Sequence, residues 1–418
     1  MLKKKVVLGV VALALVSSCL LFFSHTQVPA AEDVYQQWRL ITEVYELITR
    51  YHVEPVEGKK LLYGAASGMV RTLDPFSQFM EPETHKEMRV ETEGEFGGLG
   101  IRISIKDKLL TVVTPLPGTP AYRAGIQPGD KIVKIENVST EGMDVNDAVK
   151  KLRGAPGTKV TITVWREGEK ETFDITLTRE VIKLEAVRNE MLDKEIAYIW
   201  ILELNAKVID DLRTAMVGLK EKGMKALVLD LRYDPGGLLN QAVEVCKLFI
   251  GGNKMIVYTQ GRDPSAKEEF RADIKAVYGD LPVIVLVNKG SASGAEIIAG
   301  AIQDHKRGVV IGTQTFGKAS VQRVFPLSDG SGLRLTTAKY YTPLGRLIHE
   351  KGITPDIEVT IPRETEIKIR EQKEMLYQKD ADAKSIVKKD EHVEDIILQR
   401  AIELLKARNI FQAIKEEQ

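Results

Sequence analysis

The chain has 418 residues, 44% hydrophobic and 28% charged, with 33 glycines and 16 prolines, a balance that excludes wholesale disorder and collagen-like repeats and leaves room for two or three domains. Lys plus Arg and Asp plus Glu are equal at 59 each, so no bulk field draws it to nucleic acid. Two distant cysteines, Cys19 and Cys246, and six histidines without an H-E-x-x-H pattern build neither a disulfide framework nor a four-ligand zinc site.

Lys3, Lys4 and Lys5 precede an apolar run over residues 6–23, near the roughly 17 to 25 residues that span a bilayer. The lysines stay cytoplasmic and the rest of the chain is exported. Residues 28–31 (V-P-A-A) suit signal cleavage, while residues 16–19 (V-S-S-C) also fit a lipobox at Cys19; a cleaved signal, a retained anchor and a lipoprotein all stay open. Residues 1–31 are thus read as signal or anchor. Residues 32–93 read as helices, with Val34, Trp38, Ile41, Val44, Tyr45 and Ile48 at spacings of three and four, interrupted by a turn at Leu73-Asp74-Pro75-Phe76-Ser77. Residues 94–182 change texture to short β-branched runs separated by Gly, Pro and Asp turns, with one helical stretch at Val145–Leu152. Residues 183–363 alternate apolar strands (196–201, 226–231, 283–287, 309–312) with helical stretches, which predicts an α/β core. Residues 364–418 are rich in Lys and Glu with a stripe of Ile396, Ile397, Ala401, Leu404 and Leu405, predicting helix packed on the core or on a partner subunit.

Three segments join small and polar residues at the ends of apolar strands. Residues 230–237 read D-L-R-Y-D-P-G-G, where Gly236 and Gly237 permit a tight turn with bare N–H groups, as an oxyanion hole or a plain Pro-Gly turn requires. Residues 288–297 place Ser291 and Ser293 before an apolar helix, as an anion-stabilised nucleophile or as caps. Ala292 sits where a G-x-S-x-G elbow needs its serine. Residues 312–322 imitate a phosphate loop. Ala319 removes the magnesium-binding hydroxyl, however, and the following residues read as a strand, so Lys318 is better used as a base. A dry amine loses its proton more readily, Phe316, Gly317 and Ala319 offer an uncharged setting, and Gln322 can hold the amine without adding charge. The S-x-x-K string at Ser385 to Lys388 has no companion elements and reads as chance.

Together these strings resemble the bacterial C-terminal (tail-specific) processing proteases: S-A-S-x-x-E-I at residues 291–297, T-F-G-K-x-x-V-Q at 315–322 and D-L-R-x-x-P-G-G at 230–237. The resemblance implies an α/β protease core of the crotonase and tail-specific-protease kind, an inserted PDZ domain, and helical N- and C-terminal segments. It implies Ser293 as nucleophile, Lys318 as general base positioned by Gln322, and an oxyanion hole from Gly294 with Gly236 or Gly237. Gly98, Leu99, Gly100 and Ile101 would hold a peptide's terminal carboxylate beside strand 100–105, with Val145–Leu152 as the other wall. Arg153, in L-R-G, couples peptide binding to activity or merely ends a helix, and Glu296 either supports the nucleophile from close by or, the favoured reading, is only a favourable first-turn acid. The sequence departs from the family at Gly294-Ala295, where Ala-Ser is usual, and at Phe76, where His is common. The implied partners are protein substrates with accessible C-termini, with no nucleic acid, membrane contact only through the N-terminal segment, a homodimer through the terminal helices, and no metal or organic cofactor. The rival reading is a catalytically silent PDZ scaffold that tethers exported proteins.

Overall fold

The computed structural model describes residues 31–106, 108–116, 118–376 and 393–416. The lipobox, the signal or anchor segment and the S-x-x-K string lie outside the described residues. The chain divides into two compact units, Met1–Phe79 and Met80–Gln418. In the first, α1 (Ala31–Tyr51) and α2 (Gly58–Arg71) form, and the expected break follows them. There Asp74 Oδ1 accepts the Phe76 and Ser77 N–H groups at 2.8 Å each. Much of the apolar stripe of α1 is uncovered: Trp38 is 60%, Ile41 41% and Val44 47% exposed.

After β1 (Gln78–Met80), the second unit opens with α3 (Pro82–Glu93) and the β-rich module. This module runs through β2 (Glu95–Gly98), β3 (Ile101–Lys106), β4 (Leu109–Pro115), α4 (Pro120–Arg123), β5 (Lys131–Ile135), β6 (Val138–Ser139), α5 (Val145–Leu152), β7 (Lys159–Trp165), β8 (Phe173–Thr178) and β9 (Glu180–Lys183). Its antiparallel sheet has the order β3-β4-β5-β7-β8, which leaves β3 on an edge, and β2 pairs with β9. Leu110, Ile132, Ile135, Val160, Ile162 and Val164 form its core, each essentially inaccessible. Asp144 caps α5 by accepting the Asp147 N–H at 2.9 Å.

The main sheet is built from β10 (Val187–Met191), β11 (Ile196–Ile201), β12 (Ala226–Asp230), β15 (Val283–Val287), β16 (Val309–Gly312) and β19 (Ile357–Glu358), in that order. Only the β10–β11 pair is antiparallel. The central strands read as unbroken apolar runs because both faces are covered. One face carries Ile199, Leu229 and Val285 against α6 (Val208–Glu221), α7 (Leu239–Phe249) and α8 (Gly294–Asp304). On α6, Val208, Leu212, Ala215 and Leu219 recur at helical spacing and are buried. The other face carries Tyr198, Val228 and Leu286 against Ile369 of α9 (Arg363–Leu376) and Ile397, Ala401 and Leu405 of α10 (Ile396–Glu416). The charged C-terminal helices therefore close the second face of the sheet. A separate antiparallel sheet contains β13 (Lys254–Gly261), β14 (Lys267–Ala272), β17 (Ser320–Pro326) and β18 (Gly332–Tyr341). Among the described residues no helix is long and apolar enough to cross a membrane.

A buried charge network fastens the C-terminal helices to the sheet. Asp230, 1% exposed, accepts from Tyr198 Oη at 2.6 Å and Arg232 Nη2 at 2.6 Å, and pairs with Lys373 at 3.1 Å. Asp395 pairs with Arg232 at 2.8 Å and Lys373 at 3.0 Å. Burial opposes charge on Asp395, yet Arg232 and Lys373 outweigh it and hold its carboxyl at about 2. That contribution to stability is present above the unfolded carboxylate value near ~3.9 and is lost as pH falls from there toward about 2. Removing one charge leaves its partners buried and uncompensated. Asp395→Asn is expected to lower unfolding free energy by roughly 3 kcal/mol in denaturant titrations near neutral pH, whereas a loss below ~0.5 kcal/mol, the range of neutral surface changes, would deny the network its fastening role.

Candidate active site

The three motif segments leave the carboxyl ends of three neighbouring parallel strands, β12, β15 and β16, in register Asp230↔Leu286 and Val287↔Gly312. Ligand sites of open α/β sheets gather on that edge because the loops there diverge from one plane. Hydrogen bonds stitch the loops together. Ser291, fully buried, donates through Oγ to the Leu231 carbonyl at 2.8 Å, so it is a structural pin between two motifs. The Ala292 N–H donates to the Asp234 carbonyl at 2.9 Å and the Phe316 N–H to the Ser291 carbonyl at 3.0 Å. Asn288 Oδ1 accepts the Tyr233 N–H at 3.0 Å.

Ser293 precedes the first residue of α8 with φ +54° and ψ −114°. A side chain in this region strains the backbone by about 1–3 kcal/mol and persists only where the surroundings impose it. The turn thus displays a serine at a strand-to-helix junction without the G-x-S-x-G string. Gly236, at φ +91°, runs so close that a Cβ there would lie 2.7 Å from Ser293 Cβ and 2.6 Å from the Ala292 carbonyl oxygen, so only glycine fits.

The two glycines of this turn are not equivalent. The Gly236 N–H donates to Asp234 Oδ1 at 2.8 Å, which corrects the expectation that it could serve the oxyanion hole. The N–H groups of Gly237 and Gly294 donate to nothing among the described residues. Burial pushes the Asp234 carboxyl well above the usual carboxylate range, against the pull of the Gly236 N–H and reinforced by Glu203.

Glu296 departs most from its sequence reading. Fully buried, it is no simple first-turn acid. Its Oε2 accepts the Ser293 N–H at 2.9 Å and the Lys318 N–H at 2.8 Å. Its Oε1 accepts the Gly317 N–H at 2.7 Å and the Thr315 hydroxyl. One carboxylate therefore binds the serine turn to the lysine loop.

Lys318 is half-buried and its amine titrates below the ordinary lysine value, because burial disfavours the cation and Arg334 repels it, with Glu296 opposing. Of the expected uncharged setting, Gly317 and Ala319 are buried, whereas Phe316 is 57% exposed. Arg334 and Tyr340 of β18 line the same cleft. The buried Tyr340 hydroxyl lies 2.9 Å from the Ser293 carbonyl and 2.7 Å from the Lys318 carbonyl. Burial and Glu296 push its titration up, so it remains a donor. No local signal marks Arg334 or Tyr340, which sit in an ordinary strand. After Lys318 the chain enters β17, a strand, as expected from the disfavoured phosphate-loop reading. Gln322 donates through Nε2 to Ser320 Oγ at 2.7 Å.

Ser293, Lys318, Gln322, Gly236, Gly237 and Gly294 all line one cleft of about 410 Å³, with Arg334, Tyr340, Leu204 and, from α3, Met88 and Thr92. The remaining expected site residues lie in the β-rich module. Leu99 is buried in its core; the Leu99 and Gly100 carbonyls accept the Ala121 and Leu116 N–H groups, while their own N–H groups donate to nothing among the described residues. Ile101 begins the edge strand β3. Arg153 lies over the Phe96 ring at 4.2 Å and, with Phe96 and Gly97, lines a second cavity of about 330 Å³.

Three family models match the chain: Peptidase family S41 at residues 195–359, PDZ domain at 111–166, and Activating protease CtpB N-terminal domain at 23–84. A carboxy-terminal-processing protease of Bartonella bacilliformis is 40% identical over 363 residues, spanning 86% of this chain and 83% of the relative. Carboxy-terminal processing protease CtpA of Bacillus subtilis is 38% identical over 323 residues, spanning 77% and 69%. Among solved structures, a photosystem II D1 C-terminal processing protease is 29% identical, with 77% of this chain and 92% of that chain covered and a TM-score of 0.46. With the serine turn, the lysine loop and the Gly-Gly turn collected in one cleft of an α/β core that carries a PDZ domain, and with relatives matched over most of their length, this chain belongs to the carboxy-terminal processing proteases of peptidase family S41 and is a serine-type peptidase.

Proposed function

We propose that this peptidase is an exported endopeptidase that captures the C-terminal tail of a protein through its PDZ domain and cuts peptide bonds with a Ser293–Lys318 dyad. The observation that supports the proposal is the shared cleft, whose lining includes both a strained serine at a helix N-terminus and a half-buried lysine of lowered pKa. Ser293 Oγ attacks the scissile carbonyl carbon while its proton passes to neutral Lys318 Nζ. The carbonyl oxygen becomes an oxyanion held by the Gly237 and Gly294 N–H groups, the latter at the positive end of α8. Collapse breaks the C–N bond, and the Lys318 ammonium returns the proton to the leaving amine. Water, deprotonated by the same amine, then hydrolyses the ester and restores the serine. Gln322 donates through its amide nitrogen to Ser320, and its carbonyl oxygen is the acceptor assigned to the Lys318 amine.

In the PDZ domain the Leu99 and Gly100 N–H groups are available to a terminal carboxylate, and the open edge of β3 to an extended tail. Arg153, at the C-terminal end of α5, is the residue through which tail binding reaches the cleft. The basic, then apolar, stretch over residues 3–23 directs export and provides any membrane attachment. The uncovered stripe of α1 fits self-association into a homodimer.

Ser293→Ala is expected to reduce casein or peptide hydrolysis at least ~10³-fold, and equal proteolysis by both proteins would remove Ser293 from the mechanism. Because neutral Lys318 is the active form, kcat/KM is expected to rise with pH through its folded pKa. Arg334→Gln deletes a charge that lowers this pKa, so the rising limb should move to higher pH; an unmoved limb would take Arg334 out of the tuning. Glu296→Gln replaces an acceptor by a donor facing two N–H groups. It is expected to lower kcat ~10-fold or more, with a stability loss of about 1–3 kcal/mol by calorimetry, and unchanged values in both measurements would refute the coupling of the two loops.

A further inference from the structure

One face of the C-terminal helix α9 meets the loops that carry the chemistry. Glu366, Arg370 and Lys373 follow one another at helical spacing and so share that face. Lys373 pairs with Asp230 at 3.1 Å, Arg370 lies over the Tyr233 ring at 5.1 Å, and Glu366 Oε1 accepts from Asn288 Nδ2 at 2.6 Å. Glu366 also engages the Tyr233 hydroxyl. Lys373 belongs to the charge network, whereas Glu366 stands outside it.

Asn288, 1% exposed, is where the Gly-Gly turn and the serine turn meet. Its Oδ1 accepts the Tyr233 N–H at 3.0 Å from the first and the Gly290 N–H at 2.9 Å from the second. Its own backbone N–H donates to Ser291 Oγ at 3.0 Å. Tyr233 holds φ +64°, a left-handed conformation that persists in a side-chain-bearing residue only where the surroundings impose it. Only Asp234, Pro235 and Gly236 separate Tyr233 from Gly237, and only Ser291 and Ala292 separate Gly290 from Ser293. The two ends of an amide are alike in shape and opposite in chemistry. Turned over, Asn288 would aim its NH2 group at two N–H donors, and both loops would lose their common acceptor. A carboxylate only accepts, so Glu366 takes the NH2 end and leaves the oxygen facing the loops. We infer that Glu366 is a positioning residue for the peptidase reaction: by fixing the orientation of the Asn288 amide from α9, it keeps the oxyanion turn and the nucleophile turn in one arrangement. The inference rests on the assignment of Ser293 as nucleophile and Gly237 as oxyanion donor. Glu366 does not line the cleft, so its effect falls on the chemical step and not on the capture of substrate.

The test follows fluorescein-casein hydrolysis by the full-length protein and by Glu366→Ala, Glu366→Met and Glu366→Gln, with turnover expressed per folded molecule from circular dichroism. Methionine keeps the length of the side chain without its acceptor oxygens and carries the test if the alanine variant does not fold. Glutamine keeps a carbonyl oxygen for the Asn288 NH2 group. Loss of the acceptor is expected to lower kcat about 10- to 100-fold while KM stays within about twofold. Glu366→Gln should retain kcat within about threefold of the parent. A kcat unchanged in Glu366→Ala and Glu366→Met, a loss confined to KM, or a loss that Glu366→Gln shares in full would overturn the positioning role. Ser293→Ala is assayed in parallel. Turnover that survives in Ser293→Ala, together with the expected Glu366 pattern, removes the dyad and keeps the positioning of the loops. Loss in Ser293→Ala with unaffected Glu366 variants keeps the dyad and discards the role of Glu366.

Discussion

A single buried carboxylate holds the chemistry in place. Glu296 accepts hydrogen bonds from the backbone of Ser293, Gly317 and Lys318 and from the Thr315 hydroxyl, so the serine turn and the lysine loop cannot move independently. A carboxylate is suited to this because it offers acceptors only, and it faces N–H groups that a helix N-terminus and a tight loop would otherwise leave unmet. Its negative charge also opposes the fall in the Lys318 pKa, a cost that burial and Arg334 outweigh. The serine pays for this arrangement in backbone strain, as an imposed positive φ shows.

The main sheet explains why such a hub can exist. Three loops leave adjacent parallel strands, and each brings a different capability: N–H groups after Pro235, a displayed hydroxyl before α8, and an amine before β17. Covered on both faces, the strands cannot shift register without exchanging the side-chain rows fitted against the two helical layers. The second sheet then adds Arg334 and Tyr340 to the cleft lining, and the Arg334 charge helps lower the Lys318 pKa. The charge network of Asp230, Arg232, Lys373 and Asp395 closes the remaining face with the C-terminal helices. It begins at Asp230, the last residue of β12, so the same strand end that launches the Gly-Gly turn is also the anchor of the helices behind it.

Much of this was legible in the residues. The β-branched runs of the PDZ domain, the unbroken apolar strands at 196–201, 226–230 and 283–287, and the helical stripe containing Ile397, Ala401 and Leu405 each carry a local period that burial later matches. The strings around Gly236, Ser293 and Lys318 were readable because tight turns admit few residue types. The exposed Phe316 and the role of Glu296 were not. A first-turn glutamate looks the same whether it faces water or accepts four hydrogen bonds, and an aromatic residue beside a lysine says nothing about which way it points.

What the chain determined by itself is therefore local: where strands, helices and turns form, which follows from apolar period and backbone restriction over a few residues. The tertiary structure decided what depends on meeting across sequence distance. It chose Gly237 over Gly236 as the available N–H, because Asp234 folds back onto the nearer one. It set Arg334 beside an amine of the preceding loop, and brought Glu366 of α9 onto the Asn288 amide. Charge and desolvation act through space and not along the chain, and for that reason only the assembled fold could reveal them.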